Sequence, residues 1–191
     1  KNIFRVLGAL YRSDDICVGV SNGVCDSVAD VTGIPRNQIE TIYNPVVTEE
    51  LLRGEFERPD HPWYDKDETT PVILGAKPQP QKNLSLLIDA VAEMERDVRV
   101  VIVGQGSEKN HLKQLAEERG VGDKVDILGL VDKIYPFIYH SDVFALTSNW
   151  EGLSNILIEA LACGTQVVAT DCPSGPAEIL NDGEIGVLVE M

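Results

Sequence analysis

Asp142-Val143-Phe144-Ala145-Leu146-Thr147, then Ser148-Asn149-Trp150-Glu151-Gly152-Leu153-Ser154-Asn155-Ile156-Leu157-Ile158-Glu159, then Ala160-Leu161-Ala162-Cys163-Gly164, is the stretch whose reading decides the fold. The first six residues are an apolar run of strand length. Ile156 to Cys163 reads as a helix, and Gly164 stops it. The unit is therefore strand, loop with one carboxylate, and helix with a second carboxylate eight residues on. Gly152, Ser154 and Asn155 sit where the helix begins, where glycine permits close approach to the backbone and Ser or Asn caps the first turn. The first amides of a helix lack internal partners and carry partial positive charge, which suits a phosphate. Two carboxylates beside an anion site fit a ligand that also carries hydroxyls, since a carboxylate accepts several hydrogen bonds. A phosphorylated sugar or a nucleotide has both parts.

The same alternation extends outward. Apolar runs at 71–76, 98–103, 124–128, 142–147, 165–170 and 186–190 alternate with helical patterns. In one of these, Leu84, Leu87, Ile88, Val91 and Met94 share a face at spacings of three and four. Continuous apolar strands separated by helices predict an α/β fold, a doubly wound parallel sheet of Rossmann-like type covered on both faces. Ligands of such sheets lie beyond the carboxyl ends of the strands. Before this region, residues 1–46 suggest a helix, a strand at 16–20, a helix at 21–32 and a short strand at 39–43, too little to close a core alone. Residues 47–70 are polar and proline-bearing and read as a linker. The chain opens on Lys1 inside an apolar segment, Ile3 to Leu10, and stops at Met191 just after a strand-like run, as a piece of a longer protein would.

Two further loops join the first. Gly75-Ala76-Lys77-Pro78-Gln79-Pro80-Gln81-Lys82-Asn83 places two lysines around a stiff turn, suited to a diphosphate. Gly104-Gln105-Gly106-Ser107 makes a tight strand-to-helix turn but lacks the third glycine of a dinucleotide fingerprint. That deficit, with no acidic residue at the expected distance, disfavours a dinucleotide-dependent dehydrogenase. The chain has 191 residues and a net charge of −15, which argues against nucleic acid as a partner. The four cysteines (Cys17, Cys25, Cys163, Cys172) lack metal spacing and read as free thiols of a reducing cytosol. His61, His111 and His140 have no neighbours placed for metal binding or nucleophilic catalysis, so no metal site is expected.

Taken in order, Ile42-Tyr43-Asn44-Pro45-Val46, Gly104-Gln105-Gly106, Ile127-Leu128-Gly129, Glu151-Gly152-Leu153-Ser154-Asn155, Glu159-Ala160-Leu161-Ala162-Cys163-Gly164-Thr165 and Asp171-Cys172-Pro173-Ser174-Gly175-Pro176 resemble the retaining glycosyltransferases of family 4, with Glu151 and Glu159 at the E-x7-E spacing. The resemblance covers nearly the whole chain. It implies the GT-B architecture, with residues 71–191 as most of the domain that binds a nucleotide-sugar donor, 47–70 as linker and 1–46 as the tail of the acceptor domain. It further implies that Glu159 holds the ribose hydroxyls, that Glu151 acts at the donor sugar and reacting centre, and that Gly152, Leu153, Ser154 and Asn155 face phosphates and sugar. By the same resemblance Gly104 and Gly106 line the donor pocket, Ile127 and Leu128 flank the base, and Lys77 and Lys82 bind the diphosphate.

The family usually has arginine where Lys77 stands, glycine where Ala76 stands and proline where Gln166 stands, and no histidine here matches its acceptor-domain histidine. Lysine supplies charge without the arginine fork. The implied reaction transfers a sugar from a UDP- or GDP-linked donor, with retention and no separate cofactor, to a glycan or lipid-linked acceptor. The implied location is the cytoplasm, with peripheral contact at the inner face of the membrane through the acceptor domain. Losing either lysine is expected to weaken phosphate binding without unfolding the domain, and Glu151→Ala to leave free nucleotide binding almost unchanged. A nucleotide-sugar 2-epimerase of the same architecture and a non-catalytic nucleotide-sugar-binding protein remain as alternatives.

Overall fold

Two short strands, β1 (Cys17–Gly19) and β2 (Ile39–Thr41), pair in parallel across α1 (Asn22–Thr32) in the computed structural model, which describes residues 16–65 and 70–191. The opening segment 3–10 lies outside the described residues. Ser21 begins α1 by accepting from the Val24 amide, and Gly33, at φ 74°, ends it with its own amide on Ala29 O. Cys25, Ile34 and Ile39 form the small core of this unit, as expected of a segment too short to close a larger one.

Within the segment read as a linker, residues 47–65 are packed rather than loose. They form α2 (Glu49–Arg53) and a single 3-10 turn at Pro62–Tyr64. Leu51 is fully buried, and Tyr64 enters the main core with its hydroxyl 2.8 Å from Ser141 Oγ. His61 accepts from the Trp63 amide at Nδ1, so its Nε2 donates to Asp126 at 3.2 Å. A few large side chains thus dock an otherwise polar stretch.

The main sheet contains β3 (Val72–Ala76), β4 (Arg99–Val103), β5 (Val125–Gly129), β6 (Val143–Leu146), β7 (Gln166–Thr170) and β8 (Val187–Val189). Its order is β5-β4-β3-β6-β7-β8 and every pairing is parallel, so the Rossmann-like doubly wound sheet is present. Alternation along the strands divides the core in two. Val72, Leu74, Val101, Val103, Phe144 and Leu146 face one layer, with side chains from α5 (Tyr135–His140), α6 (Asn155–Ala162) and α7 (Pro176–Leu180). Ile73, Val100, Ile102 and Ala145 face the other, under α3 (Leu84–Ala92) and α4 (Lys109–Glu118). Met94 departs from expectation. It lies beyond the last residue of α3 and is exposed, so the apolar stripe stops at Val91.

The winding reverses between β3 and β6, which are adjacent although two strands separate them in sequence. The loops leaving their carboxyl ends diverge there and open a crevice.

Candidate functional site

A cavity of about 500 Å³ occupies that crevice. Ala76 and Lys77 enter it from β3, Leu146 and Thr147 from β6, and Leu153, Ser154, Asn155 and Glu159 from the loop and first turns of α6. Lys82 and Glu151 complete the wall. The structure therefore brings together Lys77, Lys82, Glu151, Leu153, Ser154, Asn155 and Glu159.

Lys77 is held in the left-handed region at φ 56°, with its amide donating to Val103 O at 2.8 Å. Such a conformation costs a residue with a Cβ about 1–2 kcal/mol and is concentrated where function demands it. Asn83, at φ 46°, turns the same loop into α3. The second strand-to-helix loop is tied to this one. Gly104 adopts φ 107°, and a Cβ on Gly106 would stand 1.9 Å from Pro78 O. Gly106 is thus explained by close packing of two loops. Gly104, Gly106 and Leu128 line a second recess of about 810 Å³, and Gln79 borders both cavities.

Ile127 does not reach either cavity. It is buried in the core layer under α4, because neighbouring residues of a strand point to opposite faces and Leu128 takes the side toward the recess. Gly152 also lies off the cavity wall; its carbonyl accepts from Ser21 Oγ at 2.7 Å.

Glu151 and Lys82 form an ion pair at 2.6 Å, with only 6% and 12% of their side chains exposed. Glu151 Oε1 also accepts from Ser148 Oγ at 2.5 Å, while Gln81 Nε2 stands 3.5 Å from Oε2. Ser148 is itself fully buried, with its carbonyl accepting from Thr170 Oγ1 at 2.7 Å. The sequence reading assigned no role to Gln81 or Ser148; their sequence signal is that Gln81 precedes Lys82 and Ser148 stands three residues before Glu151. Removing one partner of a buried pair costs about 3–5 kcal/mol, so losing Lys82 lowers the stability of the fold, whereas Lys77 is exposed.

Glu159 sits half-buried on the first face of α6. Burial pushes its carboxyl above the ordinary range, and the Lys77 ammonium partly offsets this. Ser154 is 2% exposed at the start of α6, its side chain caps no amide, and its hydroxyl has no hydrogen-bond partner among the described residues. A buried unsatisfied hydroxyl lining a cavity is a polar group available to a ligand. Among the described residues no cluster of His, Cys, Asp and Glu side chains could hold a metal ion, and no helix is long and apolar enough to cross a membrane. The four cysteines are free; burial and nearby Glu159 push the Cys163 thiol up to about 11.

Chemically the cavity offers two ammonium groups, two carboxylates, a free hydroxyl and a helix N-terminus, a set that matches an anion carrying hydroxyls. Known proteins with similar sequences are glycosyltransferases. The family model described as "Glycosyl transferases group 1" matches residues 55–191. The Campylobacter jejuni N-acetylgalactosamine-N,N'-diacetylbacillosaminyl-diphospho-undecaprenol 4-alpha-N-acetylgalactosaminyltransferase is 33% identical over 97% of this chain and 49% of its own length. The Rhizobium meliloti lipopolysaccharide core biosynthesis glycosyltransferase LpsE is 31% identical over 95% of this chain and 51% of its own. The chain thus spans about half the length of these curated relatives. Among solved structures, a glycosyltransferase from Rickettsia africae superposes with a TM-score of 0.84 at 24% identity, covering 97% of this chain and 52% of that one. Anabaena Alr3699/HepE in complex with UDP gives 0.83 at 23% identity, covering 99% and 54%.

Proposed function

The chain belongs to the group 1 glycosyl transferases, and from that premise we propose that it is the donor-binding part of a retaining, family 4 enzyme that moves a sugar from a nucleotide-sugar to a glycan or lipid-linked acceptor. In this reading residues 71–191 carry the donor, 1–46 belong to the acceptor side, and 47–70 join them. The observation that carries the proposal is the convergence of Lys77, Lys82, Glu151, Glu159 and the unpartnered Ser154 hydroxyl in one cavity at the switch point of the sheet.

Lys77, Lys82, Ser154 and the first amides of α6 hold the diphosphate. Glu159 accepts from the ribose hydroxyls and Glu151 faces the donor sugar. The base lies toward the recess bordered by Leu128, Gly104 and Gly106. In transfer, the bond from the anomeric carbon to phosphate oxygen breaks and a bond to the acceptor oxygen forms. The acceptor proton leaves with the nucleoside diphosphate, whose developing charge the lysines and helix amides stabilise. UDP is favoured as the carrier because a close structural neighbour holds UDP, with GDP the alternative. A lipid-linked or surface-glycan acceptor is favoured by the names of the Campylobacter and Rhizobium relatives. The same names favour transfer over epimerisation.

Calorimetric titration of UDP, GDP, uridine and guanosine tests the assignment. The diphosphate of the correct base is expected to bind more tightly than its nucleoside. Lys77→Ala, at an exposed position, is expected to weaken the diphosphate about tenfold or more while sparing the nucleoside. Equal losses for both ligands would remove Lys77 from the phosphate site.

A further inference from the structure

The four charged side chains lining the cavity at the switch point are Lys77, Lys82, Glu151 and Glu159, so their formal charges cancel. The cancellation is local at Lys82. Its ammonium is 2.6 Å from Glu151 Oε1, and little of either side chain reaches solvent. Glu151 cannot easily withdraw. Ser148 Oγ donates to the same oxygen at 2.5 Å, and the Glu151 amide is fixed on Pro173 O at 3.0 Å.

A nucleoside diphosphate placed beside Lys82 therefore meets an ammonium already engaged by a fixed carboxylate, and it brings two or more negative charges up to that carboxylate. Because little of the Glu151 side chain reaches solvent, water screens that repulsion only in part. An intact nucleotide-sugar brings hydroxyls as well. Among the described residues the second oxygen of Glu151 has only the long 3.5 Å contact from Gln81, so it retains capacity to accept from them. The carboxylate thus penalises a ligand ending in phosphate and rewards one that continues into a sugar, specificity achieved by a repulsive element together with an attractive one.

We propose that Glu151, by holding Lys82, discriminates between the sugar-bearing donor and the bare nucleoside diphosphate, and so favours release of that product once the sugar has gone. This rests on the placement of the diphosphate beside Lys82 made above. It also revises the expectation that removing the Glu151 carboxylate leaves free nucleotide binding almost unchanged.

The test is calorimetry of UDP, uridine and UDP-glucose, with the guanosine series in parallel, on the wild type, Glu151→Gln, Glu151→Ala, Lys82→Met and the double variant Lys82→Met/Glu151→Gln. Thermal melts identify which of the two Glu151 variants keeps cooperative unfolding, and the double variant, which removes both charges together, avoids stranding either one. With Glu151 neutral, the nucleoside diphosphate is expected to bind about tenfold more tightly than to wild type, the nucleoside equally, and the nucleotide-sugar no better or worse. In the Lys82→Met background the Glu151 change is expected to yield much less of that gain, because the ammonium it would free is absent. Unchanged or weaker diphosphate binding by a folded neutral variant, with the nucleoside unaffected, overturns the inference and leaves the donor pocket standing. Wild type that binds none of the ligands overturns both.

Discussion

Glu159 shows how a side chain can be poor for the fold and useful at a site. Its carboxyl is held above its ordinary value of 4.5, chiefly by burial, so between that value and its raised folded value the folded chain binds a proton that the unfolded chain has released. Stability from this group is therefore present in acid and is lost as the pH rises through the raised value. Glu159→Gln is accordingly expected to raise the melting temperature of the ligand-free chain at pH 7, to give a smaller gain as the pH falls through the carboxylate range, and to weaken nucleoside diphosphate binding. Melting curves at pH 7 and pH 4 check the sign; a gain as large in acid would place its cause elsewhere. The spacing of Glu151 and Glu159 was legible because only the end of a loop and the first turn of a helix separate them, in one continuous stretch. The Lys82–Glu151 pair was not, since its partners lie on different loops that meet only because β3 and β6 are neighbours. Ile127 and Leu128 are neighbours in one motif, but strand alternation sends them to opposite sides.

At the scale of elements, all six main strands fell within one residue of their observed bounds, because the inner strands, buried on both faces, leave uninterrupted apolar runs and the edge strands β5 and β8 keep apolar residues although they are more exposed. The segment before them was harder. Leu51, Trp63 and Tyr64 are scattered among prolines and charges, so neither a helical nor a strand period marks them, yet Tyr64 is 2% exposed in the main core. The docking of residues 47–65 is thus expected to be part of the cooperative fold. Urea unfolding should show Tyr64→Ala losing about 3–5 kcal/mol, and Tyr64→Phe, which gives up only the hydroxyl bond to Ser141, about 1 kcal/mol. A loss below 1 kcal/mol for Tyr64→Ala would mean that the segment unfolds separately from the sheet.

At the scale of the molecule, a chain carrying a net charge of −15 gathers two lysines at the crevice between β3 and β6. The smaller unit is fastened to the rim of that crevice. Ser21 donates to Gly152 O, Asn44 Nδ2 to Asn155 Oδ1 at 2.9 Å, and Glu178 on α7 accepts from the Asn22 amide at 3.0 Å and from Tyr43. The loops expected to hold the donor are therefore braced by residues 16–46, a coupling invisible in local sequence patterns. The central claim is that the nucleotide lies in the crevice between β3 and β6, and amide chemical-shift mapping during titration with UDP and GDP tests it most directly. A nucleotide in that crevice gives saturable shifts at Lys77, Leu153, Ser154, Asn155 and Glu159, extending to Gly104 and Leu128; shifts confined to the separate recess at Arg58–Asp65, or none with either nucleotide, would contradict that placement.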